Sequence, residues 1–371
     1  MTTSVYFWNL RTSRKAPFDV RLRRLAKRVG LNTCFAPGQF VALKVHFGER
    51  GTTGFVPPLW LKPFSRFVTK AGGRAFFTDT NTLYLGQRGE AVSHGLLAAE
   101  HGFDPNVLGA PVIVADGLRS THETAVPYAG RHIQTAYLAG DIVAADCLVV
   151  LSHFKGHDLA GFGGALKNVA MGCASRRGKL QQHSGLAPHV ESQRCTACGQ
   201  CLAVCPVGAL SLPSQSSAVV CDTSRCIGCA ACLLACRHHA LQVHWAHSGH
   251  AFQERMAEYA AAVVGSFSQP VVYVNFVMQI TPGCDCIGYS DAPVCPDIGV
   301  LASLDPVALD QACVDMVNAT AGNPASALPQ TYRPEDDIFQ TLHPNTDGQY
   351  LLEYATELGL GSRRYECIVV S

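Results

Sequence analysis

Along the first half of the chain, short apolar runs alternate with amphipathic stretches, a pattern that predicts β-α-β units and a mostly parallel sheet. Residues 40–47 (Phe-Val-Ala-Leu-Lys-Val-His-Phe) predict a strand, and residues 57–71 a helix with proline near its start. Further strands are expected at 74–79, 111–115 and 147–151, and a helix at 90–101. The pattern breaks near Ala187-Pro188. From Arg194 to Val243 cysteines dominate at short spacing; a helical pattern then returns over 252–265, followed by an apolar strand at 270–275. Asp305-Pro306 reads as a helix N-cap followed by proline at the first helical position. The part after residue 247 has too few strands for a sheet of its own. The expectation is therefore an α/β host domain, its mostly parallel sheet flanked by helices, built from residues 1–190 and 247–371 and interrupted by a small α+β domain at 191–246.

Composition narrows the partners. The chain has 371 residues, 48% hydrophobic, with 29 Lys+Arg against 28 Asp+Glu. That is ample for a buried core, and it leaves no net electrostatic footprint for nucleic acid or an anionic membrane. No apolar run approaches the ~20 residues that span a bilayer. The apolar stretch Val5-Tyr6-Phe7-Trp8 precedes the first basic residues Arg11, Arg14 and Lys15, the reverse of a secretory signal, so a cytoplasmic location is expected. Seventeen cysteines, an odd number and mostly clustered, fit metal binding better than disulfides there.

The cysteines form a repeat: Cys195-x2-Cys198-x2-Cys201-x3-Cys205-Pro206, then Cys226-x2-Cys229-x2-Cys232-x3-Cys236. A two-residue gap lets three sulfurs wrap one iron-sulfur cubane while the fourth reaches the other. Cys195, Cys198, Cys201 and Cys236 are the expected ligands of one 4Fe-4S cluster, and Cys226, Cys229, Cys232 and Cys205 of the second. Paired Cys-x2-Cys units also suit zinc, but two identical four-cysteine runs match the bacterial ferredoxin spacing. The segment from Arg194 to Val243 resembles a bacterial two-cluster ferredoxin, departing from it at Arg237, where the second run usually has proline. Cys221, Cys34, Cys147, Cys313 and Cys367 read as packed small hydrophobes.

A second constellation follows the expected strand at 147–151: Ser152-His153-Phe154-Lys155-Gly156-His157, Gly161, Gly163-Gly164, Lys167-Asn168, Arg176-Arg177, Lys179 and His183. Ligands of α/β sheets gather at the carboxyl ends of strands, where this loop begins. No Gly-Lys-Ser/Thr follows the glycines, so this is not a Walker A loop, and no Gly-x-Gly-x-x-Gly supports a dinucleotide site. Arg176, Arg177 and Lys179 read as a solvated face, and the glycines as a tight turn or helix approach. His157 and His183 are candidate ligands or proton carriers.

Over most of its length the chain resembles the domain-of-unknown-function 362 family, many members of which carry an inserted two-cluster ferredoxin. The matching pieces are Ser152 to Gly156, Gly163 to Asn168, Cys284-Asp285-Cys286, and Asp297-Ile298-Gly299 leading to Ser303-Leu304-Asp305-Pro306. The resemblance implies an architecture and no reaction. A local stretch, His157, Gly163-Gly164, Lys167 and His183, is similar in its intervals to the lactate racemase family, which builds its site around a nickel-pincer cofactor. That similarity implies an acid/base role for His157, cofactor attachment at Lys167 and metal ligation by His183. It carries the expectation of a reactive site, not the racemase activity.

A third constellation, Cys284, Cys286 and Cys295 around a glycine-flanked turn, is a candidate metal or cluster site, with Cys173 a candidate fourth ligand. Together these readings give an expected iron-sulfur oxidoreductase, fed by a redox partner protein or low-potential donor and acting on an unidentified small molecule. The alternatives are a non-enzymatic electron carrier and a redox-sensing or metal-cofactor maturation protein.

Overall fold

The computed structural model of the chain describes residues 2–84, 86–184, 187–243 and 249–371, with the side chains of 184 and 249 left aside. Eight strands form one sheet: β1 (Thr3–Trp8), β2 (Phe40–Lys44), β3 (Arg74–Asp79), β4 (Val112–Val114), β5 (Cys147–His153), β6 (Val272–Val277), β7 (Gly299–Ser303) and β8 (Tyr365–Val369). They lie in the order β8-β1-β7-β6-β5-β2-β3-β4. Only β7 runs antiparallel to its neighbours; the other pairings are parallel.

The strand sequences explain their places. β5 and β6 are buried at every position, as near-continuous apolar runs in a sheet covered on both faces should be. Alternate residues of β5 serve opposite layers. Val149 and Leu151 pack with Leu22 and Leu25 of α1 (Phe18–Arg28) and with Leu61 and Phe64 of α2 (Pro58–Lys70). Past α3 (Ala91–Glu100), the other layer is formed by α4 (Ala165–Cys173), α5 (Arg176–Ser184), α6 (Gly249–Gly265) and α7 (Pro306–Asn318). There Leu148 and Val150 meet Val169, Met256 and Leu309. Asp305 caps α7 by accepting from the backbone N–H of Val307 and Ala308, both at 2.9 Å.

β1, β7 and β8 have no counterpart in the sequence expectation. β8 is mostly exposed and its residues are mixed, so it lacks the apolar signature of the interior strands. Among the described residues, the elements of the cysteine segment are short, including the pairs His189–Val190 with Leu241–Gln242 and Leu210–Ser211 with Val220–Cys221, and single-turn helices Gln200–Ala203 and Ala231–Ala235. β5 and β6, on either side of this segment in sequence, are neighbours in the sheet. The expected boundary at 246/247 lies outside the described residues. Among the described residues no helix is long and apolar enough to cross a membrane.

Candidate functional site

β2 pairs with β3 on one side and β5 on the other, so the chain reverses direction across the sheet at β2 and leaves a crevice at the carboxyl ends. A cavity of about 270 Å³ occupies this place, lined by His46 after β2, Asp79 and Thr80 from β3, and Ser152 and His153 from β5. Its floor is a buried ionic network. Lys44, fully buried, pairs with Asp79 at 2.9 Å and donates to Asn168 Oδ1 at 2.8 Å. Arg88 reaches Glu49 at 3.3 Å and Asp79 at 3.5 Å. Asp285 faces His153 Nδ1 at 2.9 Å and Lys155 at 3.1 Å. Burial opposes ionisation of Asp285, but His153 and Lys155 outweigh it and hold the carboxyl well below its ordinary range.

The loop after β5 brings the reactive groups over this floor. Lys155–His157 and Gly161–Gly163 form a short antiparallel hairpin. Gly161 is left-handed (φ +79°), and a Cβ there would stand 2.6 Å from Gly348 Cα. At Gly164 a Cβ would meet Asp310 Oδ1 at 2.3 Å, so glycine is what lets α7 approach the start of α4. Asp310 accepts from the N–H groups of Ala165 and Leu166 at 2.8 and 2.9 Å and from Asn275 Nδ2 at 2.7 Å. This caps α4, whose first turn carries Lys167. Burial nonetheless pushes the Asp310 carboxyl up to about 6.

Lys167 Nζ lies 3.3 Å from Cys284 Sγ. Hydrogen bonding from the Cys286 thiol, reinforced by the Lys167 ammonium, holds Cys284 well below the ordinary thiol value. Cys286 is correspondingly pushed up. His157 is pulled down by burial and, beyond that, by its neighbours Lys167, His183, Lys155 and His343. Its Nδ1 accepts from the N–H of Leu159 and of Ala160, each at 3.1 Å, which in the neutral ring places the proton on Nε2. His183, stacked on Phe252 at 4.8 Å, is pulled down to about 3 by burial, Lys167 and Lys179. His157, Lys167 and His183, singled out from sequence, all line the one cavity.

His157, Cys284 and Cys286 offer ligand atoms all within 4.8 Å of one another, an arrangement that suits a metal ion. Cys295 and Cys173 do not join this group. Cys295 is buried in the apolar layer beside Asp297 and Tyr332. Cys173 sits at the end of α4 among Lys44, Lys179 and Asp79, where burial pushes it up to about 12. The solvated-face reading also fails for Arg176 and Lys179, which are only 3% and 7% exposed. Arg176 folds inward to donate to the carbonyls of Thr82 and Arg119. Arg177 is half-buried over the Tyr137 ring at 3.5 Å.

The eight repeat cysteines gather in two further cavities of about 20 Å³ each. One is lined by Cys195, Cys198, Cys201 and Cys236, the other by Cys205, Cys226, Cys229 and Cys232. The two runs share one backbone course. Ala197 and Gly199 in the first, and Gly228 and Ala230 in the second, are left-handed and wind the chain around each cavity. Backbone N–H groups reach the sulfurs: Ala209 to Cys205 and Ala240 to Cys236, both at 3.2 Å. Cys221 packs against the apolar cluster of this segment, as expected, and also lines the second cavity beside Cys226, whereas Cys367 is exposed. Leu83, which lines the central cavity, and Leu180 of α5 pack into the same apolar cluster as Cys201, Cys232 and Cys236.

A family model for a domain of unknown function (DUF362) matches residues 41–315. The chain belongs to the DUF362 family. The match runs from β2 into α7 and covers every residue that lines the central cavity. Two solved structures resemble this DUF362 chain more distantly. The lactate racemase apoprotein from Thermoanaerobacterium thermosaccharolyticum is 13% identical, with a TM-score of 0.39, over 74% of this chain and 51% of that one. A protein from Thermotoga maritima is 10% identical, with a TM-score of 0.41, over 94% of this chain and 60% of that one. The chain thus spans between half and three fifths of each solved protein. No curated protein matches it.

Sequence reasoning passed over the ionic floor, Asp310 and Asp285. One signal for it was present: Lys44 interrupts the apolar run 40–47, and a lysine inside a strand buried on both faces needs a buried partner.

Proposed function

We propose that this DUF362 chain is an iron-sulfur electron-transfer protein, and specifically an oxidoreductase. In this reading Cys195, Cys198, Cys201 and Cys236 hold one 4Fe-4S cluster, and Cys226, Cys229, Cys232 and Cys205 the other. The observation that carries it is the gathering of these eight thiols, in that crossed assignment, into two cavities packed through Leu83 and Leu180 against the wall of the central one. Backbone N–H groups aimed at Cys205, Cys236 and Cys195 suit thiolate sulfur. When bound, the clusters supply one-electron transfer.

The chain's own groups define what the central cavity does. Lys167 and the Cys286 thiol stabilise negative charge on Cys284. His157 presents an Nε2 proton, held in that tautomer by the N–H groups of Leu159 and Ala160. A substrate accepting electrons in this cavity thus finds an Nε2–H hydrogen-bond donor and an ammonium beside it to stabilise developing negative charge. The electron source is a redox partner protein or low-potential donor.

The test is iron and acid-labile sulfide per chain after anaerobic purification, with reduction followed by electron paramagnetic resonance. About eight irons and a reducible signal are expected. A chain holding two zinc ions and no sulfide refutes the reading. His157→Ala and Lys167→Ala should keep the iron and lose substrate-dependent reoxidation of the reduced protein. If both variants reoxidise like the parent, the chain is a carrier and the enzyme reading falls.

A further inference from the structure

Each carboxylate of the cavity floor is already consumed. Asp79 is taken by Lys44 and Arg88, Glu49 by Arg88, and Asp285 by His153 and Lys155. Lys179 is different. It is 93% buried and lines the cavity, yet among the described residues no carboxylate oxygen lies within 4.0 Å of its Nζ. Its hydrogen bonds go to Ala174 O at 2.8 Å and to Thr80 Oγ1, which leaves the third ammonium proton for the cavity. Burying an unpaired ammonium is costly unless something supplies the missing charge. Asp116 and Asp79 attract the ammonium without forming an ion pair with it, and Lys44 and Arg88 repel it. Leu83, Leu159 and Met171 make part of the same lining apolar.

We propose that the Lys179 end of the cavity is an oxyanion site, where the ammonium takes the carboxylate or phosphate head of a small molecule whose apolar body lies along Leu83, Leu159 and Met171. This rests on the reading of the cavity as the reaction site and names the class of substrate it admits. The anion completes the third hydrogen bond of Nζ and balances its charge. Burial draws the Lys179 amine down to about 8 even though Asp116 and Asp79 pull it the other way, so the carboxylates of the chain do not offset the cost of burying this cation. The head is thereby fixed at one wall, and the rest of the molecule lies in a cavity shared with His157, Lys167 and Cys286.

The test uses the full iron-loaded chain and three probes in titration calorimetry: inorganic phosphate, benzoate, and benzamide as the uncharged counterpart of benzoate. At least one anion should bind saturably and benzamide should not. Phosphate alone identifies a phosphate head, benzoate alone a carboxylate. Lys179→Met should weaken the binding anion by about ten- to a hundredfold, the range for one charge-assisted hydrogen bond, and Lys179→Arg should restore it. Should Lys179→Met not fold, Met171→Glu, which sets a negative charge on the same wall, must abolish the binding. The proposal is overturned if neither anion binds the parent chain, or if Lys179→Met or Met171→Glu binds as tightly as the parent. Iron and sulfide content on the same samples does not depend on Lys179, so loss of the anion site and loss of the iron-sulfur reading are told apart.

Discussion

The cap that Asp310 places on α4 gives the most direct link between packing and the reactive groups. Asp310→Ala removes the acceptor for two backbone N–H groups of a buried helix start and for Asn275 Nδ2. A buried donor left without its acceptor costs about 1–3 kcal/mol. Relief of burying a carboxylate, already pushed up to about 6, offsets part of that sum, so a net loss on the order of 3 kcal/mol is expected. At ~2.1 cal/mol/K of unfolding entropy per residue, a chain of 371 residues would lose roughly 4 °C in Tm. Calorimetry at pH 7 on samples of equal iron content measures this. A second readout follows from the position of Lys167 in the first turn of α4, 3.3 Å from Cys284. Fraying of that turn withdraws the ammonium, so the pH midpoint for alkylation of Cys284 should rise in Asp310→Ala. A variant with Tm within about 1 °C of the parent and an unchanged alkylation profile would refute the claim that this cap positions Lys167.

Three further outcomes are expected. His94 is fully buried and pulled down to about 3, chiefly by burial, so it stays neutral in the folded chain while the unfolded chain takes up its proton below about 6.5. Its contribution is complete above that pH and is lost on acidification at ~1.4 kcal/mol per unit, so in urea unfolding between pH 6.5 and 5 His94→Phe should show a shallower decline by that amount. Gly156→Ala places a Cβ 2.1 Å from Pro282 O and should destabilise by more than ~2 kcal/mol, whereas Gly95→Ala in α3 meets nothing within 4 Å and should stabilise by ~0.5–1 kcal/mol; equal Tm values for the two would contradict both. Cys201→Ser should lower iron by about half and leave the signal of the other cluster, and full retention would argue against Cys201 as a ligand.

How much could be read from sequence follows from where each signal resides. Strands β2, β3 and β5 announce themselves because both faces are buried and their apolar runs are nearly unbroken. β8, at the sheet edge, is not obliged to be apolar and carries no such mark. The cysteine repeat is legible because ligand spacing is a local property of the chain. The placing of Cys295 and Cys173 is not: each is near a strand or helix end in sequence, but whether its sulfur faces a cavity or the core is settled by packing against Tyr332 or Lys44. Arg176 and Lys179 mislead for the same reason. A basic run looks solvated until the residues that bury it, here Thr80, Thr82 and Gly89, are known.

The pairing of β5 with β6 joins residues about 120 positions apart, Val149 opposite Val272. Such a contact carries a large loop-closure entropy and forms slowly. During synthesis the cysteine segment leaves the ribosome before β6 exists to close the sheet. Its thiols are therefore available while the sheet is still open, and the wall against which Leu83 and Leu180 pack is completed around a segment already in place. On the proposed reading, incorporation of iron would in this sense be a timed event, easiest on the nascent chain. Refolding the full-length protein around empty thiols should be the slower route to the same state.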